Sequence, residues 1–493
     1  MARAALTDIS KLLSGNLIAK MFGVAALMLF ARILTKTQLA IFPAYLMLIG
    51  ISTLFFSFGI FQTFVRKLPS LIRENEAEAR SLVMTGTAII MAGMLLVAFC
   101  ALCWSPAIAS LIFHSADEAW AIRIMVIGFI GAALGKVAEN IMWGRGQFAA
   151  TSVIQILDSV MRPPITIVMY YWFGLEGIVW GLAIAQIANA LCGLYCVRDI
   201  FLGPLPKLYP PRKLIAESLP FYIDGYLWYL KGDGDTLLVS LLLGPAMLAE
   251  YYVAKTLYTN VMLVLTSLDK VALERLARYA SLPELFLEKA RELQVHISRT
   301  MVPLTLLAIS VTPYAMTVLA GSRYAGTKWP AIGLLVAALV QFLVITTDRA
   351  VFVALSGFWR LAKTAIEAAF ALSSALLLVP FLGVMGIVAA RIVGPAIGGV
   401  FGLVLLKRKL RLSLPFGGAI STLLAASPGT ILILLFAPPL HGAATAFVGM
   451  IAGALIWMGG FALATYALDR STFRNWMSML RSRRDAWGLA PVR

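Results

Sequence analysis

The chain has 493 residues, 60% of them hydrophobic and only 13% charged, with 41 Lys and Arg against 24 Asp and Glu for a net charge of +17. So little charge would leave a soluble globule without a polar coat, which excludes an ordinary soluble enzyme or binding domain. The basic excess does not mark a nucleic-acid binder either, because no recognition motif or soluble basic domain carries it; it sits between apolar stretches, where membrane topology and attraction to anionic lipid account for it.

Those apolar stretches number about fourteen, each near the ~20 residues that a helix needs to cross a ~30 Å hydrocarbon layer. In chain order they are expected at 12–34, 41–65, 81–104, 121–143, 151–172 and 175–198, then, after the Pro-rich connector Gly203–Lys213, at 214–243, 248–272, 297–320, 329–355, 360–382, 383–406, 417–437 and 443–468. The expected class is therefore an all-α integral membrane protein with no separate soluble domain. The first stretch lacks a small-residue cleavage site and is expected to stay attached.

Positive residues set orientation, because basic loops stay cytoplasmic. With the N-terminus inside, 29 of the 41 Lys and Arg fall in cytoplasmic segments, among them Arg360 and Lys363, and five fall outside, namely Arg32, Lys36, Arg123, Arg323 and Lys328. Both termini are then cytoplasmic. The tail Arg470–Arg493, with Arg481, Arg483 and Arg484 beside Trp476 and Trp487, reads as a surface-lying anchor or a partner-binding segment. The seven remaining basic residues, Lys20, Lys136, Arg162, Lys231, Lys255, Arg349 and Arg391, lie inside spans.

An ionisable residue at the helix centre costs ~2.5–3.5 kcal/mol on insertion scales, so it normally faces a cavity or a partner. Lys136 with Glu139 and Asp158 with Arg162 have the spacing of pairs on one helix face, whereas the adjacent Asp348 and Arg349 do not face each other and need other partners. Arg162 is followed by Pro163 and Pro164, which free carbonyls and bend a helix. Arg391 and Glu367 are candidates to pair across helices. The segment Tyr229–Thr236 (YLKGDGDT) is the most polar intramembrane stretch; its two glycines weaken a helix by ~1 kcal/mol each, so a break is expected there. Its carboxylates Asp233 and Asp235, with Asp224 nearer the inner face, are candidates to bind Na⁺ or a proton, although Asp235 four residues after Lys231 also suits simple neutralisation.

Cys100, Cys103, Cys192 and Cys196 all lie in apolar spans and read as small buried hydrophobes, since hydrocarbon disfavours a thiolate and no further ligands accompany the Cys100–Cys103 pair. His114, His296 and His441 sit near loops without ligand spacing. No metal or other cofactor is expected.

A shift of 209 residues lays Ile33–Tyr45 (ILTKTQLAIFPAY) on Leu242–Ala254 (LLGPAMLAEYYVA) and Arg66 on Arg275. Such internal repetition is common in transporters. It divides the chain into a first six-helix bundle (1–200), a connector (201–213), a second bundle (214–411), two extra helices (412–469) and the basic tail (470–493).

Ser14–Leu34 (SGNLIAKMFGVAALMLFARIL), with Ala31 and Arg32 near its external end, and Asp235–Tyr252 (DTLLVSLLLGPAMLAEYY), with Asp235 nine residues before Gly244, resemble the first and seventh helices of the polysaccharide transporters, the Wzx-type lipid-linked oligosaccharide flippases of the multidrug/oligosaccharidyl-lipid/polysaccharide superfamily. Residues 34–38 depart from that family's Leu-Gly-Pro and acidic pair. The resemblance implies two six-helix bundles around a central cavity, alternating access, and outward flipping of an undecaprenyl-pyrophosphate-linked oligosaccharide in a bacterial cytoplasmic membrane, with no covalent chemistry. A polysaccharide polymerase and a chain-length regulator are implied as partners. On that footing Lys20, Lys231 and Lys255, with Arg162 and Arg32 behind them, are expected to meet the anionic head group, while Lys20 and Lys255 also suit snorkelling to the interfaces. A cation-coupled drug exporter, a lipid II flippase and a membrane glycosyltransferase or polymerase are the rivals; the intramembrane cations disfavour the first and the short external loops the last.

Overall fold

A computed structural model describes residues 20–202, 208–280, 282–436 and 442–468, with side chains for all of these except 224, 228, 265–271, 274, 275, 325 and 468. The expectations for Arg3, Lys11, Lys207, His441 and the basic tail thus lie outside the described residues, as do the side chains of Asp224 and Arg275.

Every regular element described is helical. The helix at 20–33 (α1) leads to α2 (Lys36–Leu39), α3 (Ile41–Ser57), α4 (Ile60–Glu74), α5 (Glu76–Cys103), α6 (Ser105–Phe113), α7 (Ala119–Gly144), α8 (Phe148–Cys196), α9 (Arg198–Phe201), α10 (Pro211–Gly232), α11 (Gly234–Leu243), α12 (Pro245–Arg278), α13 (Pro283–Ala320), α14 (Lys328–Ala354), α15 (Gly357–Leu382), α16 (Val384–Leu410), α17 (Gly417–Phe436) and α18 (Ala443–Leu468). With no water to satisfy backbone groups in hydrocarbon, helices are what such apolar runs must form. Among the described residues ten stretches are long and apolar enough to cross a membrane. One of these is α8, whose 49 residues turn back on themselves at Gly174, where φ is 59° and ψ is −134°. The count of fourteen crossings remains the sequence's own expectation.

Two boundaries differ from those expected. The second stretch does not continue to residue 65: Phe58 and Gly59 both take positive φ, 45° and 74°, and end α3. Beyond them α4 is amphipathic, burying Ile60, Phe61, Phe64 and Leu68 while Arg66, Lys67 and Arg73 take the other side. Gly59 is required twice over, since a side chain there would be strained and would run into the backbone carbonyl of Ser218 on α10. At the other discrepancy, the amphipathic stretch before residue 297 joins the span behind it as the single 38-residue helix α13.

The helices fall into two compact units, one formed by residues 1–252 with 379–387, the other by 253–378 with 388–493. In the first, α7 and α8 pack closely: a Cβ on Gly131 would lie 2.9 Å from the backbone nitrogen of Ile187, and the Tyr45 hydroxyl, set against Gly128, donates to the Leu182 carbonyl at 3.4 Å. The two arms of α8 approach as closely, with Gly181 over the backbone of Thr166. Helices α10 and α11 also pack in this unit, against α4 and α6. In the second unit α17 and α18 close over α13 and α14 through Val302, Leu306, Leu335, Ala426, Ile433, Trp457 and Phe461. There the Trp457 indole N–H donates to Thr430 Oγ1 at 2.8 Å, and Trp457 stacks on Phe461 at 5.0 Å.

The cysteines correct their reading in one respect. Cys100 is half-buried, and Cys103, Cys192 and Cys196 are exposed on helix surfaces rather than packed in the protein interior.

Two measurements test this packing. A Cβ at Gly181 would sit 2.5 Å from the Thr166 Cα, so Gly181→Ala should cost about 1–3 kcal/mol and lower the thermal midpoint of the purified protein, while the open Gly326→Ala leaves it unchanged. Outside the spans, the hydrogen bond from the Arg145 guanidinium to Asp199 (2.9 Å) holds that carboxyl below its usual range. A depressed carboxylate contributes stability above its unfolded-state value and loses it as pH falls through the folded-state value. Asp199→Asn should therefore melt slightly lower than wild type at neutral pH, the gap closing below about pH 4; because Asp199 is 65% exposed, screening keeps it small.

Candidate functional site

The polar segment of the seventh stretch breaks where its glycines predict. Helix α10 ends at Gly232, Asp233 donates its N–H to the Tyr229 carbonyl at 2.8 Å, and α11 starts at Gly234. This break gathers charge. Asp235 accepts from the Thr236 backbone N–H at 2.6 Å and from the Tyr251 hydroxyl of α12. Lys20 of α1 lies within electrostatic reach of Asp233, and Tyr229 within reach of both Asp233 and Asp235. The Tyr229 ring lies against Gly50 of α3, and its hydroxyl has no hydrogen-bond partner among the described residues. Lys231 is half-buried at the end of α10. The structure thus brings Lys20, Lys231, Asp233 and Asp235 to one break in one unit; the side chain of Asp224 lies outside the described residues.

Each arm of this broken helix is tied down. On α10, Glu217 accepts from Lys67 of α4 at 2.6 Å, and the hydroxyls of Ser218 and Thr63 are 2.7 Å apart. On α11, the Ser240 hydroxyl donates to the Ile112 carbonyl at 3.1 Å, and His114 Nε2 lies 3.1 Å from the Ser240 carbonyl, which fixes the proton on Nε2. Just beyond α11, Lys36 and Glu250 are 2.5 Å apart. Sequence spacing could not show these pairs, which join residues far apart in the chain.

Arg162 and Asp158 form the expected pair on α8, and Lys136 reaches Glu139 at 2.6 Å on α7. Arg162 also lies within electrostatic reach of Tyr45 and Tyr252. Arg32 is exposed at the end of α1.

In the second unit Lys255 is buried at 7% exposure on α12. Arg391 donates to the Tyr258 hydroxyl at 3.0 Å over that ring, and Glu367 accepts from Lys363 at 3.3 Å. Lys363 is the clearest correction. Counted by sequence in a cytoplasmic segment beside Arg360, it is buried at 5% within α15, with Asp348 of α14 at 2.6 Å and Glu367 beside it. The spacing of four between Lys363 and Glu367 was the signal that could have placed it. No group of metal-ligating side chains occurs among the described residues.

This all-helical arrangement is similar to that of several solved transporter structures. It is similar to the lipid II flippase MurJ in an inward-closed conformation (13% identity over 93% of this chain and 99% of that one, TM-score 0.72) and to an inward-facing multidrug resistance MATE family transporter (14%, 80% and 94%, TM-score 0.65). It is also similar to a superfamily transporter from Pyrococcus furiosus described as having a binding pocket of reverse polarity (14%, 82% and 94%, TM-score 0.57). No curated protein matches the sequence. Residues 5–273 match the family described as polysaccharide biosynthesis protein, and the chain belongs to that family.

Removing one member of a partly buried ion pair leaves the other desolvated and alone. Arg162→Ala should therefore lower stability by about 1–3 kcal/mol and reduce the amount of folded protein in the membrane. Adding Asp158→Ala should restore it, as read by size-exclusion chromatography of detergent extracts.

Proposed function

We propose that this protein flips a lipid-linked oligosaccharide repeat unit outward across the bacterial cytoplasmic membrane, for export of a surface polysaccharide, by alternating access between two helical bundles. Membership of the polysaccharide biosynthesis family and the flippase-type fold support the class. The observation that supports the substrate reading is the break at Gly232–Gly234, where Lys231 ends α10, Lys20 lies within electrostatic reach of Asp233, and the Tyr229 hydroxyl has no hydrogen-bond partner among the described residues. Fixed cations lower the cost of carrying a pyrophosphate through the membrane, and the lipid tail stays in the bilayer. Lys20, Lys231, Lys255, Arg162 and Arg32 are the proposed contacts, and Asp224, Asp233 and Asp235 the proposed coupling groups. No covalent chemistry is involved. Both termini are cytoplasmic, and a polymerase and a chain-length regulator act on the product outside.

The likeness to MurJ over nearly the whole chain favours lipid II as the second reading. The two part on one experiment. Deleting the gene should make a completed lipid-linked repeat unit accumulate in extracted lipids while surface polysaccharide disappears and the cells survive. Failure to obtain the deletion, with lipid II accumulating on depletion, establishes the second reading; unchanged lipids with altered drug tolerance establish an exporter. In the deletion strain, Lys231→Ala should restore no surface polysaccharide at wild-type protein level, and full complementation would remove Lys231 from the contacts.

A further inference from the structure

The second unit contains a charged cluster that the substrate reading does not use. Lys363 Nζ lies 2.6 Å from Asp348 on the neighbouring helix and 3.3 Å from Glu367 one turn along its own. Side-chain exposure falls steeply through the three, from 27% at Asp348 to 6% at Lys363 and 1% at Glu367. Glu367 is the eleventh residue of the 26-residue helix α15, about 15 Å from its start at 1.5 Å per residue, which is mid-membrane depth.

Helix α16 is shaped to this cluster. A Cβ on Gly398 would lie 3.0 Å from the Glu367 Cβ, and one on Gly402 would lie 3.2 Å from the Lys363 Cε and 2.7 Å from the Thr347 methyl. Glycines four residues apart let a helix backbone come this close in a membrane. Thr347 is fully buried at the same place, and its hydroxyl has no hydrogen-bond partner among the described residues. On the same helices, Arg391 of α16 donates to the Tyr258 hydroxyl of α12, and Arg349 of α14 and Arg360 of α15 both lie over Phe352.

Ionisable groups at membrane depth are costly and mark functional sites, proton relays among them, and a buried ion pair gains little over an apolar pair. A lysine between two carboxylates at unequal distances has two arrangements. We infer that Asp348, Lys363 and Glu367 form a proton-binding site in the second unit. In one arrangement the Lys363 ammonium is shared between both carboxylates. In the other, a proton from water, entering past the more exposed Asp348, adds to a carboxylate oxygen of Glu367 to give the neutral acid, and the Lys363 ammonium goes wholly to Asp348. Return of that proton to water restores the first arrangement.

That this proton drives transport rests on the flippase reading; that the site binds a proton does not. Two measurements separate them. Infrared titration of the full-length protein in lipid nanodiscs should show a protonated-carboxyl band that appears on acidification, disappears in Glu367→Gln, and in Asp348→Asn needs more acid to appear, because the Lys363 ammonium is then left to Glu367 alone. No titrating band, or one unaltered by Glu367→Gln, overturns the site whatever the protein carries. In a strain lacking the gene, Glu367→Gln should cut surface polysaccharide about tenfold or more at normal protein level and abolish its sensitivity to a protonophore. Loss of the band with wild-type polysaccharide and unchanged protonophore sensitivity overturns the coupling role and leaves the flippase reading intact.

Discussion

The cost of carrying charge and unpaired backbone groups into hydrocarbon governs this molecule. It makes each apolar run a helix, and it decides where an ionisable side chain can stand. The charges at membrane depth accordingly come in company: Arg162 with Asp158, Lys136 with Glu139, Lys363 with two carboxylates, Arg391 on a tyrosine. Two of these pairings use the four-residue spacing within one helix, the cheapest arrangement because folding the helix also forms the pair. Lys363 with Asp348 and Arg391 with Tyr258 join different helices, so packing must hold them together.

That division explains what could be read from the sequence. Apolar runs and intrahelical pairs are local, and so is the break at Gly232–Gly234, since two glycines around an aspartate remove helix propensity wherever they fall. The end of α3 at Phe58–Gly59 is less legible. Only the close approach of Ser218, from another part of the chain, requires a glycine there, and the apolar run continues through the turn. Lys363 was misplaced for a related reason. Hydropathy groups it with Arg360 and the glycine that starts α15, whereas its environment is set by Asp348 on α14 and by glycines on α16. The ties on either arm of α10–α11 belong to the same class: Lys67 and Glu217 are 150 residues apart, Lys36 and Glu250 are 214.

The two charged clusters differ in kind. At the break between α10 and α11, charge stands where backbone is irregular, and irregular backbone at membrane depth is tolerated only where protein or a water-filled cavity surrounds it. Around Lys363 the helices are continuous and packed against glycines, so that cluster is sealed apart from Asp348. A large anionic head group needs the first environment, because it must enter and leave with part of its hydration. A proton can be held in the second as well as at the carboxylates of the first, because a single buried carboxylate with one accessible neighbour suffices to hold it.

The ties on α10 and α11 follow the same logic. A helix interrupted by two glycines gains little from its own backbone at the break, so its arms are positioned by what holds them. Here Lys67 and Thr63 hold the first arm, and Ile112 and His114 the second. The break thus leaves each arm positioned by its own contacts rather than by one continuous helix.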